Sequence, residues 1–149
     1  MSTGEFCTRE VVITEKDSSI LAVAQLMRTY HVGDVIVVEQ RGEQAVPVGI
    51  VTDRDIVVEV IAQEVDLNAV TVGDVMSYDL LSVQEDEGIW EVLLQMCERG
   101  VRRVPVVNAE GGLEGVLALD DMIELLAEEL TLLARIAGSG QSRERKKVE

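Results

Sequence analysis

The chain has 149 residues, enough for one compact domain or for two small units that share a core. Nearly half of the residues are apolar and few are aromatic, so aliphatic side chains must fill the interior. The formal net charge of −15 repels phosphates, which argues against broad binding to nucleic acid or to anionic lipid.

The amino-terminal residues and the two cysteines indicate neither export nor a metal site. The start of the chain has no basic segment followed by an apolar one, and no apolar run approaches the roughly 20 residues that span a bilayer. Cys7 and Cys97 have no metal-type spacing and no neighbouring histidine. We therefore expect a cytoplasmic protein that uses no metal and does not bind membranes.

An internal repeat organises the chain. A shift of 69 residues lays VVITEKDSSILAVAQLMRTYHVGDVIVV (residues 11–38) over LLSVQEDEGIWEVLLQMCERGVRRVPVV (residues 80–107), so that Met27 meets Met96 and the terminal apolar runs coincide. The predicted organisation is a first copy at residues 7–63, a linker at 64–75, a second copy at 76–130, and a helical extension with a basic tail at 131–149.

Each copy contains the same elements in the same order. A short extended lead precedes an acidic turn that can cap a helix, and a helix with apolar residues at helical spacing follows. Two strands joined by a polar hairpin turn lead into a last helix. The predicted elements are a lead at 11–14, a helix around 20–27, strands at 35–38 and 48–51 and a helix at 55–62, and in the second copy 80–83, 89–96, 104–107, 113–119 and 120–130.

The strands are continuous apolar runs, which is typical of strands covered on at least one face by helices. One copy of about 55 residues buries too little surface to be stable alone. The sequence therefore predicts an α/β (α+β) fold, in which two β-α-β-β-α repeats pack on each other about a pseudo-two-fold axis.

Apolar residues continue at helical spacing beyond the second copy, from Met122 to Ile136, and we expect Gly138 and Gly140 to end this helix. The extra apolar turns need cover. Because exposed apolar stripes usually mark interfaces, the sequence predicts a homodimer about a two-fold axis. The basic RERKK run (residues 143–147) is interpreted as a solvated tail.

Three segments resemble those of a pair of CBS (cystathionine β-synthase-type) domains: GIVTDRDIV at residues 49–57, VGDVMS at 72–77 and RRVPVVN at 102–108. The resemblance covers the chain from about Cys7 to Leu130. It implies a regulatory module, with no catalytic residues and no catalytic cofactor. It also implies an adenosyl effector (AMP, ADP, ATP, NAD or S-adenosylmethionine) bound in clefts between the repeats, and pairing of the subunits into flat dimers.

Thr52 and Asp55 match the family pattern Gly-apolar-x-Thr/Ser-x-x-Asp, in which the Asp contacts ribose. They are three residues apart at a strand-to-helix junction, so both side chains can face one cleft, here called the first cleft. A carboxylate can accept hydrogen bonds from both ribose hydroxyls, and free N–H groups at the helix start suit phosphate. The alternative is that the pair caps the helix, worth about 1 kcal/mol, and the two roles do not exclude each other.

Arg102 and Arg103 start a strand of the second copy, at a place where the family often carries phosphate-binding residues. Gly33 and Asp34 hold the equivalent place in the first copy. The alternative for Arg102, Arg103 and Arg54 is that they are surface cations paired with the abundant acids. The predicted residues of the first cleft are Thr52, Asp55, Arg54, Arg102, Arg103, Gly33 and Asp34, with Ile50 and Leu81 as walls of a base slot and Asp79 as acceptor for an exocyclic amine.

The second copy departs from the pattern in its own cleft, here called the second cleft. Ala118 stands where Thr52 stands, although Asp121 remains and Val116 takes the place of Ile50. We expect this cleft to bind more weakly, to bind differently, or to be empty.

Three functions stay open at this point. The first is a sensor that binds an adenine nucleotide and modulates an unknown partner protein, and the second is a structural dimerisation module with degenerate clefts. The third is a Mg²⁺-dependent nucleotide-processing enzyme built on Asp53, Arg54 and Asp55. The sequence contains neither a P-loop nor a nucleophile-histidine-acid constellation.

Overall fold

The sequence duplication corresponds to two three-stranded sheets in the computed structural model, which describes residues 1–148. The chain divides into one unit spanning Met1–Leu117 and another that begins at Ala118. The first copy contains α1 (Thr3–Phe6), β1 (Ile13–Thr14), α2 (Ile20–Tyr30), β2 (Asp34–Arg41), β3 (Gln44–Thr52) and α3 (Asp53–Asp55), which continues as a π-helical segment (Ile56–Ile61). The second contains α4 (Val72–Val75), β4 (Val83–Gln84), α5 (Ile89–Arg99), β5 (Arg103–Val107), β6 (Leu113–Ala118) and α6 (Leu119–Val148).

The sheets have the orders β1-β2-β3 and β4-β5-β6. In each, the short lead strand runs parallel to the middle strand. β2 and β3 form an antiparallel hairpin, which places Asp34 opposite Thr52 at one end and Arg41 opposite Gln44 at the turn. The predicted α/β class and the order of elements are confirmed.

Both faces of β2 are covered, which explains why its sequence shows no alternation. Successive side chains of a strand point to opposite faces. Val35 and Val37 join the core that includes residues of α2 and the π-helical segment. Ile36 and Val38 join a smaller cluster with Val116 of the other sheet.

The segment before the first strand of each copy, here called its leading segment, pairs with the last strand of the other copy. Ile50 in β3 exchanges two backbone hydrogen bonds with Ser77, of 3.1 and 2.8 Å. Val116 in β6 exchanges two with Thr8, of 2.9 and 2.8 Å. Val72 of α4 is fully buried in the core of the first copy, so the second copy's leading segment completes that core.

Two glycines make this exchange possible, because the leading segments pass too close for a side chain. A Cβ on Gly49 would lie 2.7 Å from the carbonyl oxygen of Ser77. A Cβ on Gly115, its counterpart, would lie 2.6 Å from Cys7 Sγ and 2.8 Å from the carbonyl oxygen of Thr8.

Some predicted element bounds differ from the structure. The segment predicted as a linker (64–75) contains α4, and the last helix of the first copy begins at Asp53 rather than at Asp55. The strand predicted at 113–119 ends at Ala118, because Leu119 is the first residue of α6.

The prediction that Gly138 and Gly140 end the last helix was wrong, because α6 continues through both to Val148. A glycine in a helix interior costs about 1 kcal/mol relative to alanine, and the Arg, Glu and Lys residues that follow are good helix formers. The basic run at 143–147 is therefore helical, and it is exposed as predicted. Within residues 1–148, no helix combines the length and apolarity needed to cross a bilayer. Residue 149 of the predicted tail lies outside the described residues.

Candidate functional site

A cavity of about 300 Å³ opens between the end of the β2–β3 hairpin and the segments that lead into β4 and β5. Its floor and walls come from both copies, at the place predicted for the first cleft. The lining residues are Asp34, Ile50, Thr52, Asp79, Leu80, Leu81, Val101, Arg102 and Arg103.

Most of the residues predicted for the first cleft line this cavity, whereas Gly33, Arg54 and Asp55 do not. Leu80 and Val101 line it without having been predicted. Their signal was available, since Leu80 precedes Leu81 in the lead and Val101 precedes Arg102 at the strand start. A ligand contact for any of these residues stays a prediction.

Thr52 and Asp55 form a reciprocal capping box at the start of α3. The Asp55 amide donates to Thr52 Oγ1 at 3.1 Å, and the Thr52 amide donates to Asp55 Oδ2 at 2.9 Å. The alternative interpretation, helix capping, is thus realised. Asp55 Oδ1 takes no part in the box, and the Thr52 hydroxyl keeps its own proton to donate.

Gly33 and Arg54 contribute backbone rather than side chain at this end of the hairpin. The Gly33 carbonyl accepts a hydrogen bond from the Asp53 amide at 2.9 Å, which fixes the start of α3 against β2. Arg54 is exposed on α3, and its amide donates to Asp53 Oδ1 at 2.8 Å.

An ion pair crosses the cavity between the two copies. Arg103 Nε lies 3.1 Å from Asp34 Oδ2, with side chains 32% and 23% exposed. Burial raises the pKa of Asp34 above the ordinary value, the Arg103 guanidinium opposes this rise, and the charge of Asp53 adds to it. The phosphate-binding role predicted for Arg103 therefore meets a carboxylate competitor.

Four of the lining residues, Ile50, Leu80, Leu81 and Val101, are apolar and are called here the apolar wall. Asp79, which precedes Leu80 in the chain, also lines the cavity. Its carboxylate pairs with the guanidinium of Arg99, and its side chain is 85% exposed. The cavity thus combines apolar side chains, on which a flat apolar group can stack, with charged and hydroxyl groups in the same lining.

A second cavity, of about 630 Å³, lies beside the leading segment of the first copy. Its lining residues are Thr8, Arg9, Glu10, Val11, Val12, Tyr30 and Val32. Of the residues predicted for the second cleft, Val116 pairs with Thr8, Ala118 ends β6, and Asp121 lies in the first turn of α6. A ligand role for these three stays a prediction.

In the part of the chain that the structure describes, no group of three or more His, Cys, Asp or Glu side chains is arranged to hold a metal ion.

The fold and the cavity define the class of this protein: two β-α-β-β-α repeats, with exchanged leading segments and a cleft between them. The CBS domain model matches residues 4–62 and 72–128, and the chain belongs to the CBS domain family. The resemblance noted in the sequence is confirmed. The boundaries predicted at 7–63 and 76–130 stay predictions.

Several known proteins and one solved domain pair are similar to this chain. The uncharacterized protein MK0525 of Methanopyrus kandleri is 31% identical over 84% of this chain, which spans 62% of that protein's length. Hypoxic response protein 1 of Mycobacterium tuberculosis is 32% identical, with 86% of this chain and 82% of that protein covered. The solved CBS domain pair of protein MJ0100, in complex with 5′-methylthioadenosine and S-adenosyl-L-methionine, is 22% identical with a TM-score of 0.73, covering 87% of this chain and 98% of that one.

Proposed function

We propose that this protein is a cytoplasmic regulatory module that binds an adenosine-containing ligand in the first cleft, signals binding to a partner protein, and does no chemistry itself. The observation that carries the proposal is one cavity that combines an apolar wall, the Thr52 hydroxyl at a helix start, and the guanidinium groups of Arg102 and Arg103.

Each part of an adenosine ligand has a matching part of the cavity. The base would stack against the apolar wall of Ile50 and Leu81, and the ribose would lie at the start of α3. The capping box uses Asp55 Oδ2 and one lone pair of Thr52 Oγ1. Asp55 Oδ1 and the Thr52 hydroxyl can therefore form hydrogen bonds with the ribose hydroxyls while the box stays intact. The basic side chains would meet the 5′ end.

The fold supports the proposal independently of the residues. The pair in MJ0100 holds methylthioadenosine and S-adenosylmethionine, so a CBS pair with this architecture can accommodate an adenosyl group. Which adenosyl ligand this chain binds is set by the side chains around its own cavity.

The test is a calorimetric titration with AMP, ADP, ATP, NAD and S-adenosylmethionine, repeated as a thermal-shift panel. A ligand at 100 times its Kd stabilises the folded state by about 2.7 kcal/mol, which is readily measured as a rise in Tm. At least one ligand should bind well below about 1 mM, a free energy of about −4 kcal/mol. Failure of the whole panel at moderate salt would contradict the proposal.

We also propose that the module is a homodimer. The side chains of Ile123, Leu126, Leu130 and Leu133 recur three and four residues apart along α6 and are 49% to 65% exposed. A second copy of the helix would cover this apolar stripe about a two-fold axis. Sedimentation equilibrium should give twice the monomer mass for the wild type, and Leu130→Glu with Leu133→Glu should give the monomer.

A structural dimerisation module is the second candidate, favoured by the capping box, which gives Thr52 and Asp55 a role without any ligand. It predicts a dimer and no binding in the nucleotide panel. The enzyme alternative is tested by incubation with ATP and Mg²⁺, where sustained product release would contradict a binding-only role.

A further inference from the structure

Asp34 and Arg103 occupy equivalent positions of the two copies and pair with each other inside the first cleft. Arg103 Nε lies 3.1 Å from Asp34 Oδ2, and both side chains are about a quarter to a third exposed. An arginine held by a carboxylate cannot offer its full fork of donors to a phosphate. A ligand phosphate therefore competes with Asp34 for the same guanidinium.

Asp34 is firmly positioned at the cavity. It is the first residue of β2, directly opposite Thr52 in the hairpin register. Asp53 brings a second negative charge to the same end, since a Cβ on Gly33 would lie only 3.3 Å from Asp53 Oδ2. Burial raises the pKa of Asp34, and the charge of Asp53 adds to that rise.

The charged side chains that line the cavity cancel. Asp34 and Asp79 contribute two negative charges, and Arg102 and Arg103 contribute two positive ones. The formal net charge of the whole chain is −15, so the surroundings add no attraction for an anion. The lining side chains therefore offer a phosphate no net positive charge, and each further phosphate adds negative charge beside Asp34.

Building on the proposed function, we propose that Asp34 is a specificity-determining residue that restricts the first cleft to adenosine ligands with at most one phosphate on the 5′ carbon. A neutral or cationic 5′ group leaves the Asp34–Arg103 pair intact. A monophosphate needs a single guanidinium, whereas a polyphosphate requires Arg103 to leave Asp34 and places more negative charge beside that carboxylate.

The experiment is calorimetry with 5′-methylthioadenosine, AMP, ADP and ATP on the wild type and on Asp34→Asn, without Mg²⁺. The asparagine keeps the size and the acceptor oxygen but removes the charge. Glu43→Gln is the matched control, because it also removes one carboxylate but lies in the exposed turn at the far end of the β2–β3 hairpin.

The Kd of the wild type for methylthioadenosine or AMP should be at least about tenfold lower than its Kd for ATP. Asp34→Asn should tighten ATP binding about tenfold and change methylthioadenosine binding less than about twofold, while Glu43→Gln leaves all ratios unchanged. If Asp34→Asn does not fold, Asp34→Ser is measured in its place.

Two outcomes overturn the inference while the proposed function stands. One is wild-type protein that binds ATP as tightly as AMP and methylthioadenosine. The other is a ratio of ATP affinity to AMP affinity that is the same in Asp34→Asn and wild type. Absence of binding for all four ligands, in the wild type and the variant alike, overturns the inference, and it contradicts the proposed function as well if NAD and S-adenosylmethionine also fail to bind.

Discussion

The cavity of the first cleft and the cavity beside the first copy's leading segment share a backbone framework but differ in their polar side chains. The Ile50–Ser77 and Thr8–Val116 pairings are equivalent contacts with nearly equal hydrogen-bond lengths. The first cleft has Arg102 and Arg103, whereas the equivalent positions of the other copy hold Gly33 and Asp34. Glu10 takes the place of Asp79 in the second cavity. The duplication thus keeps the contacts that fold the chain and varies the groups that would meet a ligand.

The largest expected difference between the clefts is the effect of removing their carboxylates. Asp55→Ala should weaken ligand binding about 100-fold, since it removes charge-assisted hydrogen bonds worth about 1.5–3 kcal/mol in total. Asp121→Ala should weaken it less than about threefold. Calorimetry measures both, with Tm as a check on folding because Asp55 also caps α3. Equal losses in the two variants would show that the clefts contribute alike.

Because the two copies share this framework, an added side chain at either of the two closely approached glycines should lower the free energy of unfolding by a similar amount. Gly49→Ala and Gly115→Ala should each destabilise the fold by about 1–3 kcal/mol, because the added methyl meets backbone or Cys7 at under 3 Å. Gly138→Ala is the control, since nothing lies within 4 Å of its Cβ position, and it should stabilise α6 by up to about 1 kcal/mol. Urea unfolding measures all three. A harmless Gly49→Ala would mean that the leading segment does not approach β3 as described.

Thr52→Ala gives the first copy the residue that the second copy has at Ala118. The loss of the N-cap oxygen should lower the free energy of unfolding by about 1 kcal/mol, and the loss of the ribose contact should weaken binding about tenfold. Thr52→Ser keeps the hydroxyl and should stay near wild type in both measurements. If Thr52→Ala lowers stability but leaves affinity unchanged, Thr52 acts only as a cap.

The smallest effect concerns pH and Asp34, the residue opposite Arg103. Because its pKa is raised, the folded state holds this proton more tightly than the unfolded chain, so the group stabilises at low pH and that stability is lost as pH rises through the raised pKa. Asp34→Asn removes this loss. The Tm of Asp34→Asn relative to wild type should therefore increase as the pH rises above the ordinary pKa of an aspartate, with Glu43→Gln, which removes an exposed carboxylate, as the control. A relative Tm that falls with pH would show that pairing with Arg103 outweighs burial.

The repeat and the order of elements were predictable, because apolar periodicity and the 69-residue shift are local properties of the chain. Most of the lining of the first cleft was predicted from the resemblance to CBS domains, with the repeat indicating which strand ends and helix starts are equivalent. The exchange of leading segments was not predictable in this way. The extended residues around Ser77 have the same sequence pattern whichever sheet they pair with.

The pairing of charged side chains could not be predicted from the sequence pattern either. Asp34 and Arg103 are far apart in sequence, and their contact follows from the way the copies meet. The pairing of Asp79 with Arg99 at the end of α5 was likewise not indicated by the sequence, and the role of Asp79 as acceptor for a base amine stays a prediction. Gly138 and Gly140 misled the prediction because a helix-weakening residue need not end a helix whose other residues favour it.

The exchange of leading segments has a consequence for how such a chain can assemble. The core of the first copy includes Val72 and Met76, which the second copy's leading segment supplies. A chain with one copy could complete its core only by trading that segment with another molecule, at a rate and yield set by protein concentration. Joining two copies in one chain replaces this encounter with an intramolecular one at high effective concentration. The pair is thus a covalent version of a domain-swapped dimer, and its halves should unfold together.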